Sequence, residues 1–502
     1  MNKKLGAPQQ SSNSNAAEHI DLPARAHQEM LAAGFAPDFE PAVKQQIQTI
    51  EQNANNFDRN ALKDLRSLLW SSIDNPESKD LDQIEYAEEL PDGNMRAVIA
   101  IADVDYLAAK GSACDKHAYI NTTSVYTGIV TYPMLPDELS FDLTSLVADQ
   151  DRAAIIIDLV VDSVGLVSKS SIYQGLVRNK AKLDYQTVGN WLGQGGKPPA
   201  KIAAIDGLAD QLQLQSKIKE LIHNQRKQQG SLYLHTLEAT PIVHEGEILD
   251  LELVEDNPAR DLIENFMIAG NIAVSKFLES KQYPSIRRIV KTPERWDRIV
   301  AVAKTYGENL PSAPDAKALA QFLLKRKEAD PLRFPDLSLT IVKLLGRGEY
   351  VVETPGQPDQ GHFALAVHEY THATAPNRRY PDLIMQRLIK AATADKPMPY
   401  SSHDLQDIAA HCTEQEDAAN KVERTMRKVA AAVLLSKHIG ETFDGIVTGV
   451  TPGGTYARLI KPPAEGKIIL GEDGLDVGDQ VKLKLVSVDA QQAYIDFACI
   501  RK

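Results

Sequence analysis

Through the middle of the chain, short runs of β-branched residues alternate with long stretches of helical periodicity. Ala97–Ala102, Ala154–Val161 and Ile248–Leu253 read as strands, whereas Arg260–Glu279 and Pro381–Ala391 read as helices. This mixture, from about residue 60 to 395, predicts an α+β domain. Upstream, Leu22–Asn55 is helix-biased with one break at Gly34 and Pro37, and downstream His403–His438 reads as one long helix. Then the pattern changes. Thr442–Val450, Thr455–Ile460, Lys467–Leu470, Gln480–Val488 and Ala493–Phe497 are strand-like runs punctuated by Gly453-Gly454, Pro462-Pro463 and Gly478-Asp479. Five short strands in about sixty residues predict a small barrel of the OB kind. The expected organisation is a disordered tail over 1–20, a helical segment over 21–60, the α+β domain over 61–395, a helical connector over 396–438 and the barrel over 439–502.

A length of 502 residues fits such a division, being too long for one ordinary core. The hydrophobic share of 43% is typical of a globular chain, and without a run of about 18 apolar residues nothing is expected to span a membrane. Met1–Ala17 carries lysines, Gln, Ser and Asn but no apolar core, so it does not read as a secretory signal. The cysteines Cys114, Cys412 and Cys499 lie far apart without C-x-x-C spacing, which argues against a zinc site or disulfide framework and fits a reducing cytoplasm. A formal net charge of −13 speaks against a basic exterior. A basic channel can still lie inside an acidic shell, and Arg287-Arg288 with Lys291, Lys325-Arg326-Lys327 and Arg378-Arg379 form local basic clusters. Charge neither requires nor excludes a nucleic-acid partner.

The candidate chemistry lies in Ser71–Glu85, SSIDNPESKDLDQIE, directly after the apolar segment Leu65–Trp70. Asp74, Asp80 and Asp82 crowd a short polar run, and carboxylates gathered so closely repel one another unless a cation compensates. Oxygen-only ligands suit a hard ion such as Mg²⁺, which activates water or steadies a phosphate during hydrolysis. Asp80 and Asp82, two apart, would face the same side of an extended segment. On spacing alone a solvated acidic loop is the more ordinary reading, since loops favour Asp and Asn.

Four blocks, in order along some three hundred residues, resemble the ribonuclease II and R family. SIDNPESKDLDQ resembles the aspartate motif that opens that family's RNB domain. VIAIADVDYL (Val98–Leu107) and GSACDK (Gly111–Lys116) resemble its IADVS strand and the GS-x-x-D-x segment. Thr123–Leu146 retains Met134-Leu135-Pro136 and Glu138-Leu139-Ser140, and Thr374–Leu383, TAPNRRYPDL, resembles the TSPIRRYPDL block. The final strands resemble the S-one-type RNA-binding module that commonly ends such chains, while no cold-shock-like pattern precedes the aspartates. The resemblance implies an α+β RNB catalytic domain with a C-terminal five-stranded OB-fold β-barrel and a helix-biased N-terminal segment. The implied activity is that of a cytoplasmic, monomeric, Mg²⁺-dependent exoribonuclease, hydrolysing single-stranded RNA from 3′ to 5′ into nucleoside 5′-monophosphates.

The same resemblance implies roles for individual residues. Asp74 and Asp80 match metal or metal-water ligands, and Asp82 matches the aspartate on which cleavage depends. Where the family places a second aspartate directly afterwards, this chain has Gln83, which offers an amide oxygen without charge and lowers the expected metal affinity. Glu85 and Asp103 are the carboxylates that could offset the loss. Arg378 matches the arginine that grips the scissile phosphate, with Arg379 in support, since a guanidinium fork bonds phosphate bidentately and keeps its charge. Tyr126 matches an aromatic that stacks on the last bases, and Glu264 and Glu423 match glutamates near the substrate. Phe443 and Tyr456 sit where such a barrel presents aromatics to single strands. With eight acids against seven Lys/Arg, Thr442–Lys502 would guide a strand rather than clamp it.

Each assignment has a plainer competitor. The arginines could pair with Asp382 or Glu369, Tyr126 could be core, and Glu264 could belong to an ordinary amphipathic helix. His368 and His372 in HEYTH have H-E-x-x-H spacing, but no third ligand is apparent and the block runs straight into the arginine motif. The alternative function is an RNB-type scaffold that holds or regulates RNA with catalysis weakened by Gln83.

Overall fold

The computed structural model describes residues 20–53, 62–237, 239–244, 247–253, 256–357 and 360–501. Of the expected tail, residues 1–19 lie outside the described part. Two compact units are present, one formed by residues 30–237 and 253–423 and the other by residues 20–29, 239–252 and 424–501.

In chain order the strands of the larger unit begin with β1 (Lys63–Asp64), β2 (Ser71–Asp74), β3 (Gln83–Glu89) and β4 (Met95–Ala102). A small ribbon of β5 (Val125–Tyr126) and β6 (Thr131–Tyr132) follows, then β7 (Asp151–Val161), β8 (Val167–Arg178) and β9 (Ala181–Asp184). Seven of these make one sheet in the order β1-β8-β7-β4-β3-β2-β9. The helices are α1 (Leu22–Ala32), α2 (Pro41–Asn53), α3 (Ala113–Asn121), α4 (Tyr185–Gln194), α5 (Ala200–Ala203) and α6 (Leu208–Gln229). They continue with α7 (Pro258–Ser280), α8 (Trp296–Thr305), α9 (Ala316–Ala329), α10 (Phe334–Leu345), α11 (Tyr380–Thr393) and α12 (Ser402–Leu435).

The unbroken apolar run Ala97–Ala102 has a structural reason: β4 is central and every residue of that run is buried. A strand covered on both faces has no solvent side on which to alternate. Ile99 and Ile101 share one core with Phe266 and Val274 of α7 and Leu383 and Leu388 of α11. A Cβ at Gly270 would lie 3.2 Å from Ile99 Cδ1, so the glycine lets α7 approach the sheet closely. The start of α7 is fixed locally. Asn257 Oδ1 accepts from the N–H groups of Ala259 and Arg260 (3.0 and 2.9 Å), and Pro258 occupies the first turn. Helices α8, α9 and α10 build a smaller core around Trp296, Phe322 and Ile341. A two-stranded sheet of β10 (Ala239–His244) and β11 (Glu247–Leu253), and an antiparallel ribbon of β12 (Ser285–Ile289) with β13 (Glu349–Glu353), complete the described strands before the barrel.

The smaller unit contains a closed barrel of β14 (Thr442–Thr451), β15 (Gly454–Leu459), β16 (Glu465–Leu470), β17 (Gln480–Asp489) and β18 (Tyr494–Arg501), ordered β14-β15-β16-β18-β17 and closed by β14 against β17. Val447, Ala457, Ile468, Leu483 and Phe497 fill it. Leu251 of β11 and Ala432 and Leu435 of α12 join the same core. The last strand outruns its expected end at Phe497 because β17 continues to pair with it as far as Arg501. Among the described residues, no helix is long and apolar enough to cross a membrane.

Candidate active site

Asp74 ends β2 and Gln83 begins β3, so the aspartate run occupies the connection between two neighbouring strands. That connection is pinned at several points. Lys182 of β9 donates through Nζ to the carbonyls of Pro76 (3.0 Å) and Ser78 (2.5 Å). Ser145 Oγ donates to the Lys79 carbonyl (2.6 Å) and accepts from the Leu81 N–H (3.0 Å). The Ala102 N–H donates to the Asp82 carbonyl at 2.9 Å, tying the end of the run to β4.

The arginine block approaches from the N-terminus of α11. Asp382, with no exposed surface, accepts from the N–H groups of Thr374 and Ala375 (2.8 Å each) and from the Arg379 guanidinium (2.7 Å). Thus 374–379 folds back over the first turn of its helix, and the Arg378 carbonyl accepts from the Ser124 N–H at 3.0 Å. In this arrangement the Asn377 N–H donates to Asp82 Oδ1 (2.9 Å), and Arg378 Nε lies 3.4 Å from Asp82 Oδ2.

Arg378 also lines a pocket of about 330 Å³ together with Asp74, Asp80, Gln83 and Tyr126. Gln83 Nε2 donates to Asp74 Oδ1 at 3.3 Å. The Tyr126 hydroxyl donates to Asp80 Oδ2 (2.7 Å), while the Tyr126 N–H donates to Glu423 Oε1 (2.8 Å). The pocket's other lining residues include two that the sequence did not single out, Tyr185 of α4 and Arg260 of α7. The Arg260 guanidinium stacks 4.4 Å from the centre of the Tyr185 ring and donates to Asn75 Oδ1 at 3.0 Å. The sequence signal for Arg260 was its place in the first turn after the Asn257-Pro258 cap, where a cation is unusual because the helix end is already positive.

The other candidates lie elsewhere. Arg379 turns from the pocket to Asp382, as its competing assignment expected. Glu264 shares α7 with Arg260 but lines a separate cavity of about 1060 Å³ with Arg226, Tyr233, Asp261 and Lys327. Phe443 is half-buried against the barrel core and Tyr456 is half-buried on β15, whereas Tyr494, at 64% exposure, offers the barrel's most open ring. In HEYTH, His372 is half-buried with Nδ1 2.8 Å from the Tyr350 hydroxyl, and His368 lines a groove with Glu369.

Burial dominates the electrostatics. The Asp82 carboxyl, 1% exposed, is lifted to about 7 by desolvation, against the pull of Arg378. Asp74 is raised to about 6, first by burial and then by the charge of Asp80. Glu85, fully buried, is raised well above the usual carboxylate range by burial and then by Asp74. Among the described residues, Asp74 Oδ2 has no hydrogen-bond donor, and Asp82 Oδ2 meets only the Arg378 ion pair. Among the described residues, no three His, Cys, Asp or Glu side chains form a ready-made ligand cage. That is compatible with Mg²⁺, which is commonly held by one or two carboxylates plus waters and substrate phosphate. The hard oxygen donors and the undersatisfied buried carboxylates fit such an ion.

A pH dependence follows. A carboxyl whose folded-state value is raised from 3.8 to about 7 favours the folded protein most below 3.8 and loses that contribution as pH rises through about 7. In chelator, the melting temperature of the parent minus that of Asp82→Asn should therefore fall between pH 5 and pH 8. A pH-independent difference would mean that Asp82 is not held as a desolvated carboxyl.

Comparison with known proteins adds an independent line. The RNB domain model matches residues 62–395, and the RNase II-type exonuclease C-terminal S1 domain model matches residues 441–499. Ribonuclease R of Thermotoga maritima is 27% identical over 93% of this chain and 68% of its own length. Ribonuclease R 1 of Lactococcus lactis subsp. lactis is 28% identical over 93% of this chain and 60% of its own length. The chain thus spans roughly two thirds or less of these relatives. The solved structures of Mycoplasma genitalium RNase R, apo and in complex with ribose-methylated single-stranded RNA, share its fold. Each has a TM-score of 0.84 at 24% identity, covering 96% of this chain and 78% of the other.

Proposed function

The chain belongs to the RNB-domain family, and from that premise we propose that it is a Mg²⁺-dependent exoribonuclease that hydrolyses single-stranded RNA from its 3′ end to nucleoside 5′-monophosphates. The observation that carries this reading is the contact between the buried Asp82 carboxyl and Arg378, which lines a small pocket together with Asp74 and Asp80. In the reaction, a water oxygen bonds to the terminal phosphorus as the bond to the 3′-oxygen of the preceding nucleotide breaks. The water's proton balances the leaving oxygen, so the products are a 5′-monophosphate and a strand with a new 3′-hydroxyl. When bound, Mg²⁺ would supply charge neutralisation and water activation.

Asp74 and Asp80, with the Gln83 amide oxygen, are the groups that would hold the ion. Arg378, 45% exposed at its side chain, is free to swing its fork onto the phosphate while remaining close to Asp82. Arg260 would add a second guanidinium at the same pocket. Tyr126, at the pocket edge, offers a ring for the terminal base, with Glu423 fixing its backbone. Arg379 serves by holding the loop through Asp382. Glu264 is assigned no contact with the scissile group, since its cavity is another one. In the barrel, Phe443, Tyr456 and the more exposed Tyr494 would meet the incoming strand. The protein would act as a monomer in the cytoplasm.

The second reading, RNA binding with weakened catalysis, is favoured by one observation: Gln83 presents its amide nitrogen, not its oxygen, to Asp74. Chromatography of the products separates the two. Nucleoside 5′-monophosphates formed with Mg²⁺ and absent in chelator support the enzyme, and intact RNA in both supports the binder. Gln83→Asp restores a charged hard ligand and should lower the Mg²⁺ concentration for half-maximal activity. An unchanged or higher requirement would place residue 83 off the metal.

A further inference from the structure

Arg260, Arg378 and Arg379 differ in what neutralises them. Arg378 stands beside Asp82, and Arg379 beside Asp382. Among the described residues, the partners of Arg260 are Asn75 Oδ1 at 3.0 Å and the Tyr185 ring at 4.4 Å, both uncharged. Its Nε is buried without a hydrogen-bond partner. The first turn of α7 is also an unfavourable place for a cation, because the helix end is already positive. An anion is the partner such a group calls for.

Depth decides which anion. Arg378 and Tyr126 are exposed, whereas Arg260 and Tyr185 are half-buried. Ile263 and Met267, one and two turns along α7 from Arg260, line the same pocket and give it an apolar wall. A strand entering past Arg378 and Tyr126 would bring its last nucleotide to this inner wall. The scissile phosphate would stay with Arg378 and the carboxylates. What remains for Arg260 is a group on the far side of the terminal ribose.

We propose that Arg260 is a specificity-determining residue that binds a 3′-terminal phosphate, so that the site opens RNA ending in 3′-phosphate as well as in 3′-hydroxyl. This rests on the exoribonuclease reading above. In the first cut, a water oxygen bonds to the phosphorus of the last internucleotide linkage. The bond to the 3′-oxygen of the preceding nucleotide breaks, and that oxygen takes the water's proton. The products are a nucleoside 3′,5′-bisphosphate and a strand with an ordinary 3′-hydroxyl, so the contact is made once per strand. A guanidinium fork suits this phosphate, which it can hold by a pair of bonds without losing its charge. Such ends come from RNA cleavage in which a 2′-hydroxyl attacks its own phosphate and the cyclic product is then hydrolysed, and that class of reaction would supply the substrate.

The test is single-turnover release of the terminal nucleotide by the full chain with Mg²⁺, from RNAs of identical sequence ending in 3′-hydroxyl or 3′-phosphate. The parent should cut the last linkage of both at rates within about tenfold of each other, and should release the bisphosphate from the second. Arg260→Leu and Arg260→Gln should each raise the hydroxyl-to-phosphate rate ratio at least about tenfold, whatever they lose on the hydroxyl RNA, as expected for losing a charged hydrogen-bond donor. Arg260→Lys, which keeps the charge, should raise it less. Melting curves establish folding. The parent alone supplies a second measurement: adenosine 3′,5′-bisphosphate should inhibit at concentrations at least about tenfold below adenosine 5′-monophosphate. A parent that degrades the hydroxyl RNA but stalls on the phosphate RNA would overturn the proposal, as would release of monophosphate and inorganic phosphate in place of the bisphosphate. Equal inhibition by the two nucleotides, or an equal loss on both RNAs in folded variants, would overturn it too, the latter by placing Arg260 on an internal phosphate. A parent that degrades neither RNA would overturn the exoribonuclease reading instead, which separates the two failures.

Discussion

Asp82→Asn should abolish cleavage, by at least about a hundredfold in single-turnover rate, while RNA affinity stays within a few-fold of the parent. The amide has the shape of the carboxylate and can still accept the Asn377 N–H that now meets Oδ1 at 2.9 Å, so the loop that presents Arg378 should keep its place. What disappears is the charge 3.4 Å from the Arg378 guanidinium, at a position with 1% exposure where water cannot substitute for it. Because burial already works against that charge in the metal-free protein, the substitution should not destabilise the fold in chelator. Cleavage within a few-fold of the parent would remove Asp82 from the reaction, and a parallel loss of binding would make it structural.

Arg378→Lys should lower single-turnover cleavage at least tenfold, about 1.4 kcal/mol of transition-state stabilisation. Lysine keeps the charge but offers a compact ammonium in place of a planar fork, and it cannot hold a phosphate oxygen pair while remaining beside Asp82. The side chain is 45% exposed, so little stability is at stake and a fall in rate reports chemistry. The contrast with Arg379 is informative. Its guanidinium is committed to buried Asp382, so Arg379→Lys should act mainly through the loop, visible as a lower melting temperature. Equal rates for the parent and Arg378→Lys would return Arg378 to a structural role.

How much of this was legible depended on range along the chain. The aspartate run and the arginine block are short continuous motifs, and each stands in one connection or at one helix start, so their residues could be named without a fold. The strands of the barrel and of β4 were legible because β-branched runs broken by Gly and Pro carry a local signal. Tyr185 was not, and the cation at Arg260 in the first turn of α7 marked a position without a destination, because only the packing of α4 and α7 around the β2–β3 connection brings them to the pocket. Glu264 shows the same limit from the other side. Its position on α7 was clear, but whether it faces the aspartates or the larger cavity is decided by the rotation of that helix against the sheet. Asp103 and Glu85 were indistinguishable as carboxylates. Only the long-range arrival of Lys390 at one, and of no hydrogen-bond partner among the described residues at the other, separates them. Likewise, Leu251 and Ala239 join the unit of the barrel by packing against a core built from residues far along the chain, which no local pattern encodes.

The measurement that bears most directly on the account is a time course with single-stranded RNA labelled at its 5′ end, incubated with the full chain and Mg²⁺ and resolved on a denaturing gel. The account predicts a ladder shortening one nucleotide at a time from the 3′ end to a short labelled remnant, suppressed by chelator and absent with Asp82→Asn. A labelled strand that binds yet stays full length, or internal cuts that leave no ladder, would contradict it.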